Sequence, residues 1–296
     1  MQTRFLDYFV TLAREKHFAR AAEACHVSQP TLSAGIAALE SLLGKRLVIR
    51  SHRFVDLTPE GHAILDHARR MLAEQDGLRQ AIGARSGPLR GEVRLGAIPA
   101  AMPLAGPIVR ALHAQHPALT VSLHSMTSRE IERGLVDYEL DAGLTYLDNE
   151  PPAQVRATPL FSERYLFATA AGSAFEGPWI SWKEAAAAPL CLLHEGMQNR
   201  RILDAHLAKL DLPVAPVATA DSYVAIFSMV AAAGLCSIVT DSHRGFVESN
   251  PALRLIDFVD PAPANMIGLI IIDRQPIPPL AMAAYEAAQT LQLAAI

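Results

Sequence analysis

The sequence predicts an α+β multidomain chain: an N-terminal winged helix-turn-helix, a long linker helix, and an α/β body. Three observations carry that prediction. Residues 18–43 spell two short helices around a tight turn, residues 59–85 keep one unbroken helical pattern, and from Gly91 apolar strands alternate with amphipathic helices. The last pattern marks a mostly parallel sheet. With 296 residues and 51% hydrophobic content, the chain is long enough to bury cores in two or three domains.

In the first short helix, Phe18, Ala21, Ala22 and Cys25 recur at helical spacing, and the alanines let a second helix approach closely. Ser28 offers a hydroxyl to cap that second helix, and Pro30 falls in its first turn, where a missing N–H costs nothing. Leu32, Ile36, Leu39 and Leu43 form the stripe expected to be buried. The opposite face carries Gln29, Ser33 and Ala37, one turn apart, with Thr31 beside them. Gln is suited to bidentate bonding with adenine, and Ser or Thr to bases or phosphate. The layout is that of a DNA reader, although an ordinary antiparallel helix pair shows the same stripe. After Gly44, LVIRSHRFVDLT reads as two short strands around an Arg50-Ser51-His52-Arg53 turn, a basic wing able to touch phosphates. Through Thr58 the chain has eight Lys and Arg against five acids, a head of +3 on a body of −7, within an overall pI of 6.3. One modestly basic head holds DNA weakly, so two copies on two half-sites are expected.

Residues 1–58 are thus read as the DNA-binding domain and 59–88 as a linker and dimerisation helix. In that helix Ile64, Ala68, Met71, Gln75, Leu78 and Ile82 alternate steps of four and three, a narrow seam that suits a partner helix. Packing on its own domain is the alternative. Ser86-Gly87-Pro88 ends the helix. Strands then follow at Val93–Ile98, Leu119–Ser125, Asp141–Tyr146, Arg164–Thr169, Leu190–Leu193, Leu235–Val239 and Met266–Ile272. Helices are expected at Pro103–His116, from Ser128, at Asn199–Leu210, Ser222–Ala233 and Pro279–Ala295.

Other function classes fall away. The N-terminus has an acid in its first turn and no apolar h-region, so no signal peptide is visible. Val224–Val239 is uncharged but spans only 16 residues, short of the roughly 20 a bilayer requires. A cytoplasmic protein with no membrane partner is expected. The odd set Cys25, Cys191 and Cys236 argues against a disulfide framework, and each sits among apolar neighbours. No G-x-S-x-G elbow, Walker loop or G-x-G-x-x-G is present, so no catalytic residues and no cofactor are assigned. The eleven histidines show no metal-ligand spacing, and His194-Glu195 lacks the second histidine four residues on that zinc binding requires.

These residues resemble the LysR-type transcriptional regulators. The match runs through Phe18, Ala21-Ala22, Ser28-Gln29-Pro30, Leu32-Ser33, Ile36, Leu39-Glu40, Leu43-Gly44, Leu47, Arg50, Arg53 and Leu57-Thr58-Pro59-Glu60-Gly61. It is dense over about sixty residues and weaker beyond. The resemblance implies that Gln29, Pro30, Thr31 and Ser33 enter the major groove of an operator while Arg50 and Arg53 grip phosphate. It implies dimerisation through the linker helix, a dimer of dimers, and RNA polymerase as a further partner. It also implies a body like the two-lobed periplasmic binding proteins, with lobe I at 91–163 plus 269–296 and lobe II at 164–268. Many relatives place Arg and Gln after the helix serine; here stand Ala34, which offers only a methyl contact, and Gly35, a poor helix former costing about 1 kcal/mol. The sequence supplies no reason for that glycine. Peroxide-sensing relatives use a thiol just after the strand that here reads LCLLHEG; this chain has Met197, Gln198 and Asn199 there, so that chemistry is not carried over.

Two lobes leave a cleft, and open parallel sheets bind ligands beyond the carboxyl ends of their strands. That geometry nominates the turn Pro99, Ala100 and Ala101, where the alanines offer only backbone N–H groups, then Thr127, Ser128, Thr145, Gln198, Asn199 and Ser222. Thr127 with Glu130 has capping-box spacing, so capping competes with binding there and at Ser222. The set is polar and donor-rich, suited to a small anion or carboxylate effector, with Arg200 or Arg201 available to balance charge. Closure of the cleft is expected to re-angle paired DNA-binding heads and change DNA bending. Two alternatives stay open: a small-molecule binding module whose head contacts only proteins, and a thiol regulator using Cys191 or Cys236.

Overall fold

The computed structural model describes residues 2–50, 54–86, 88–150 and 152–291, and the chain divides into two compact units, 1–87 and 88–296. The first unit opens with α1 (Thr3–Glu15), which the sequence pattern did not announce, followed by α2 (Phe18–Ala24) and α3 (Gln29–Leu43). Ser28 caps α3 by accepting from the Thr31 N–H at 3.3 Å, and Pro30 sits in its first turn. Strands β1 (Val48–Arg50) and β2 (Phe54–Leu57) pair antiparallel as the wing. Ser51, His52, Arg53 and the Arg50 side chain lie outside the described residues. The long helix α4 (Pro59–Ser86) completes the unit.

Leu32, Ile36 and Leu39 are fully buried with Leu6, Phe9, Leu12, Ala21 and Ala22, as the stripe requires. Leu43 departs from it: the last helical residue is 42% exposed, because α3 ends at Gly44 before that turn reaches the core. Gly35 now has a reason. A Cβ there would lie 2.5 Å from Cδ2 and 2.9 Å from Cε2 of the buried Tyr8 ring, so α1 can cross α3 only at a glycine. Gly61 is forced likewise, since its Cβ would meet the Leu47 carbonyl oxygen at 2.2 Å.

The second unit runs β3 (Gly91–Ala97), a 3-10 turn (Pro99–Leu104), α5 (Ala105–Gln115), β4 (Leu119–Ser125), α6 (Ser128–Val136), β5 (Ala142–Tyr146) and β6 (Val155–Glu163). It continues with β7 (Tyr165–Ala170), β8 (Trp179–Ile180), α7 (Trp182–Ala187), β9 (Cys191–Leu193), α8 (Gln198–Lys209), β10 (Ala218–Ala220), α9 (Tyr223–Ala233) and β11 (Ser237–Thr240). A 3-10 turn (Asp241–His243), α10 (Arg244–Glu248), β12 (Leu253–Phe258), β13 (Asn265–Ile272) and α11 (Pro279–Gln289) close it. One lobe holds a sheet ordered β4-β3-β5-β13-β6, the other a sheet ordered β11-β7-β12-β8 with the parallel pair β9-β10 beside it.

Three expectations are corrected. The first sheet is parallel only across β4-β3-β5; β13 runs antiparallel to β5 and β6, so it is mixed. Because β13 ladders to β6 from Asn265 onward, the chain re-enters lobe I at residue 265 rather than 269. The last helix stops at Gln289, with Thr290 at its C-cap, short of Ala295. No helix among the described residues is long and apolar enough to cross a membrane.

Replacing Gly35 by Ala should destabilise the head by about 1–3 kcal/mol through overpacking against Tyr8. At an unconstrained helix position the same change would add about 1 kcal/mol of helix propensity. Urea unfolding followed by circular dichroism reads the sign.

Candidate functional site

The first candidate surface is the outward face of α3. Gln29, Pro30 and Thr31 are exposed at its N-terminus and Ser33 is half-buried one turn on, with Ala34, Ala37 and Ala38 exposed beside them. Thr31 is partly committed: its hydroxyl lies 2.8 Å from that of Ser28, so the cap and the Thr31 side chain act as one pair. The wing is tied to the same helix by a residue whose role the sequence did not reveal. Glu40, buried on α3, accepts from the Leu47 N–H at 2.9 Å and the Val48 N–H at 3.2 Å. Thr58 donates to the Arg46 carbonyl at 2.7 Å and accepts from the Gly61 N–H at 2.9 Å, joining the end of the wing to the start of α4. The α4 seam is divided. Ala68 is buried and Ile64 packs on the head's core, whereas Met71, Leu78 and Ile82 are 45%, 63% and 61% exposed.

The second candidate is the cleft between the lobes of the 88–296 unit. A cavity of about 10 Å³, room for a single water, is lined by Ile98, Pro99, Ala100, Thr127, Ser128, Tyr146, Leu193, Met197, Gln198 and Asn199. Six of the nine nominated residues therefore meet there. The other three do not. Ala101 is fully buried and its N–H is spent on the Ile98 carbonyl at 2.9 Å. Thr145 points the wrong way because side chains alternate along β5, which turns Tyr146 to the cavity instead. Ser222 only caps α9, accepting from the Ala225 N–H. Thr127 does both: it forms a full capping box with Glu130 and lines the cavity.

Polar contacts cross the cleft. Ser128 donates to the Gln198 side-chain oxygen, Gln198 donates to the Asn149 carbonyl, and Ser242 donates to the Ala100 carbonyl at 2.8 Å. Arg201 forms a two-pronged ion pair with Glu150 at 2.7 and 3.1 Å. Arg200, itself buried, is held by Asp204 at 2.8 Å and the Leu193 carbonyl at 3.0 Å. Both arginines thus have partners, and neither lines the cavity. Behind the lining lies a network that sequence reasoning missed. Tyr146 donates to Glu163 Oε1, Asn199 Nδ2 donates to the Tyr146 hydroxyl at 2.7 Å and to Glu163 Oε1 at 3.3 Å, and Tyr165 donates to the Asn199 carbonyl. The thiols are chemically quiet. Burial raises all three cysteines, Cys191 to about 11. Cys191 and Cys236 are buried and Cys25 is half-buried. Among the described residues no group of three or more His, Cys, Asp or Glu is placed to hold a metal.

Residues 3–62 match the family described as "Bacterial regulatory helix-turn-helix protein, lysR family", and residues 86–292 match "LysR substrate binding domain". A "Probable hydrogen peroxide-inducible genes activator" of Mycobacterium avium is 33% identical over 269 residues, covering 90% of this chain and 86% of that one. A full-length OxyR variant from Pseudomonas aeruginosa is similar at a TM-score of 0.74 and 29% identity, with 98% of each chain covered. CbnR, solved with its target DNA, reaches a TM-score of 0.70 at 24% identity, covering 98% of this chain and 99% of that one, a likeness of fold.

Burial raises the Glu163 carboxyl to about 8, with the nearby Asp241 carboxylate adding to the shift and bonds from Tyr146 and Asn199 opposing it. Between its ordinary 4.5 and about 8, the folded chain holds a proton that the unfolded chain releases. Stability must therefore fall as pH rises through that window, by up to about 1.4 kcal/mol per pH unit, and level off above it. Glu163→Gln has no such proton to lose, so its urea-unfolding free energy should decline less between pH 5 and pH 8 than the parent's. Equal slopes would mean an ordinary carboxyl.

Proposed function

This chain belongs to the LysR family of bacterial helix-turn-helix regulators, a DNA-binding transcriptional regulator with an effector-binding domain and not an enzyme, and on that premise we propose how it reads DNA and what it senses. Gln29, Pro30, Thr31 and Ser33 enter the major groove, and Arg50 and Arg53 hold phosphate on either side of the wing turn. α3 supplies the decisive observation: its Ser28-capped N-terminus and polar row are exposed while the opposite stripe is sealed by α1. Helix N-termini presented in this way contact base edges and phosphates. The exposed half of the α4 seam pairs with a second copy, two dimers combine into a tetramer on paired half-sites, and RNA polymerase is the protein partner. The protein works in the cytoplasm.

The effector is a small anion or carboxylate bound between the lobes. Support comes from three helix starts that meet at the cavity: the 3-10 turn at Pro99, α6 at Ser128 and α8 at Gln198. The positive ends of these helix dipoles favour negative charge. Ligand binding shifts the lobe equilibrium and thereby the bend imposed on DNA. The peroxide response named for several relatives is not part of this proposal, because Met197-Gln198-Asn199 contains no thiol and the remaining cysteines are held protonated.

A salt-titrated binding assay on an operator-containing intergenic fragment should show clear preference over random DNA; equal binding to both removes the sequence-specific reading. Gln29→Ala should cost roughly 1–3 kcal/mol on the operator and little on random DNA, whereas Arg53→Ala should weaken both alike and lower the salt slope by about 1. Leu78→Glu, at the exposed seam, should shift the protein toward monomer in analytical ultracentrifugation without unfolding the head.

A further inference from the structure

We propose that Glu163 and Asn265 form a buried subsite at the lobe hinge that receives one acceptor oxygen of a small carboxylate; this rests on the effector reading above and assigns the groups that hold the ligand. The two residues are direct partners in the β6–β13 ladder, so their side chains share one face of the sheet. Both are almost sealed, at 1% and 5% exposure. Glu163 Oε1 takes two donors, the Tyr146 hydroxyl and Asn199 Nδ2, whereas Oε2 has no partner. Asn265 Oδ1 accepts from Asn149 Nδ2 at 3.1 Å, whereas Nδ2 has none.

A neutral carboxyl whose one oxygen already accepts twice carries its proton on the other. Oε2–H and Nδ2–H are then two buried donors on paired strand positions, neither with an acceptor. In a dry interior each missing bond is costly, and one oxygen atom can satisfy both. A carboxylate oxygen does so with charge-assisted bonds, needing no arginine. An ammonium would meet two donors and is excluded by the same geometry. The subsite lies one side chain behind the cavity, since Tyr146 and Asn199 are in its wall and Gln198 holds the Asn149 carbonyl. Asn199 belongs to lobe II and Tyr146 to lobe I, so parting the lobes opens the way in.

Every group facing Glu163 leaves its proton as the variable. Tyr146 on β5, Tyr165 on β7 and Tyr223 on α9 are pushed upward by burial and stay neutral. His243, whose ring lies 4.1 Å from that of Tyr223 at a tilt of 42°, is lowered to about 4 and is also neutral. α8 presents the Asn199 amide, with its Asp204 beside Tyr165, and Asp241 at the crossover is the charged neighbour, which favours the protonated acid. Arg164, next in sequence, is exposed. Loss of the Glu163 proton replaces a donor with a second negative charge.

The test is a titration of the full-length protein with sodium formate, read by thermal shift against sodium chloride at equal ionic strength. The parent should bind formate at pH 7 and about thirtyfold more weakly at pH 9.5, one and a half units above the carboxyl's value of about 8. Glu163→Gln, which keeps a donor at every pH, should bind equally at both, and Asn265→Asp should bind at neither. The proposal is overturned if the parent shows no formate effect at pH 7, if Glu163→Gln weakens at pH 9.5 as the parent does, or if Asn265→Asp binds like the parent. DNA plays no part in this measurement, so loss of operator preference and loss of formate binding report on separate readings.

Discussion

The crossing of α1 over α3 at Gly35 sets the geometry of the DNA-reading head. With the Tyr8 ring filling the space a Cβ would take, α3 has one rotational setting: Leu32, Ile36 and Leu39 inward, Gln29 and Ser33 outward. Each residue turns the helix by about 100°, so a slip of one position would bury part of the polar row and expose part of the stripe. The wing is indexed to the same helix, because the Glu40 carboxylate accepts the two backbone N–H groups where β1 begins. A charged acceptor with two amide donors is a stronger tie than packing alone. The exposed polar row and the start of the wing are thus positioned by one element.

The effector domain follows a different logic, in which charge near the cleft is spent before a ligand arrives. Arg201 closes on Glu150 and Arg200 on Asp204, while Gln198 and Ser242 tie one lobe to the other. On the reading proposed above, what remains for recognition is neutral: the polar side chains of the lining and, behind them, the Glu163 carboxyl and the Asn265 amide. Neutral donors fixed in a dry setting discriminate by geometry, since a ligand without an acceptor at the right place leaves them unpaired. Arginine clusters would attract anions more indiscriminately.

Legibility in the sequence tracked the range of the signal. Caps and stripes are local, so Ser28, Pro30, the Thr127–Glu130 box and the glycine stop at Gly234 were readable where they stand. α1 carries the same kind of local stripe in Leu6, Phe9 and Leu12, with no side-chain cap at Gln2 to mark its start. β6 was hidden because Val155–Glu163 mixes Pro159 with charged and polar residues, and its place at the sheet edge is fixed only by β13. Strand ends were located to a residue or two, while the period-two alternation along β5 puts Tyr146 rather than its neighbour Thr145 in the cavity wall. Glu163 and Asn265 meet only through a register joining positions a hundred residues apart, and the reason for Gly35 lies in an aromatic ring on another helix. Contacts of that kind leave no trace in spacing.

Relatives named for peroxide induction share this family, so membership of the family does not by itself choose the signal; on the reading proposed above, the start of α8 bears on it. Here that position offers amides, and a Cys191 thiol held near 11 is almost wholly protonated at neutral pH, without the thiolate that oxidation requires. The proposed binding equilibrium is compatible with the magnitudes of the contacts across the cleft. The exposed Glu150–Arg201 pair is worth about 0–1 kcal/mol and each neutral hydrogen bond across the cleft about 0.5–1.5 kcal/mol. A ligand binding at millimolar strength supplies about 4 kcal/mol. It shifts the lobes only by the part of that energy that differs between their arrangements. On the reading proposed above, the unsatisfied donors of Glu163 and Asn265 put that difference at the crossover between the lobes, where filling them would act on the equilibrium.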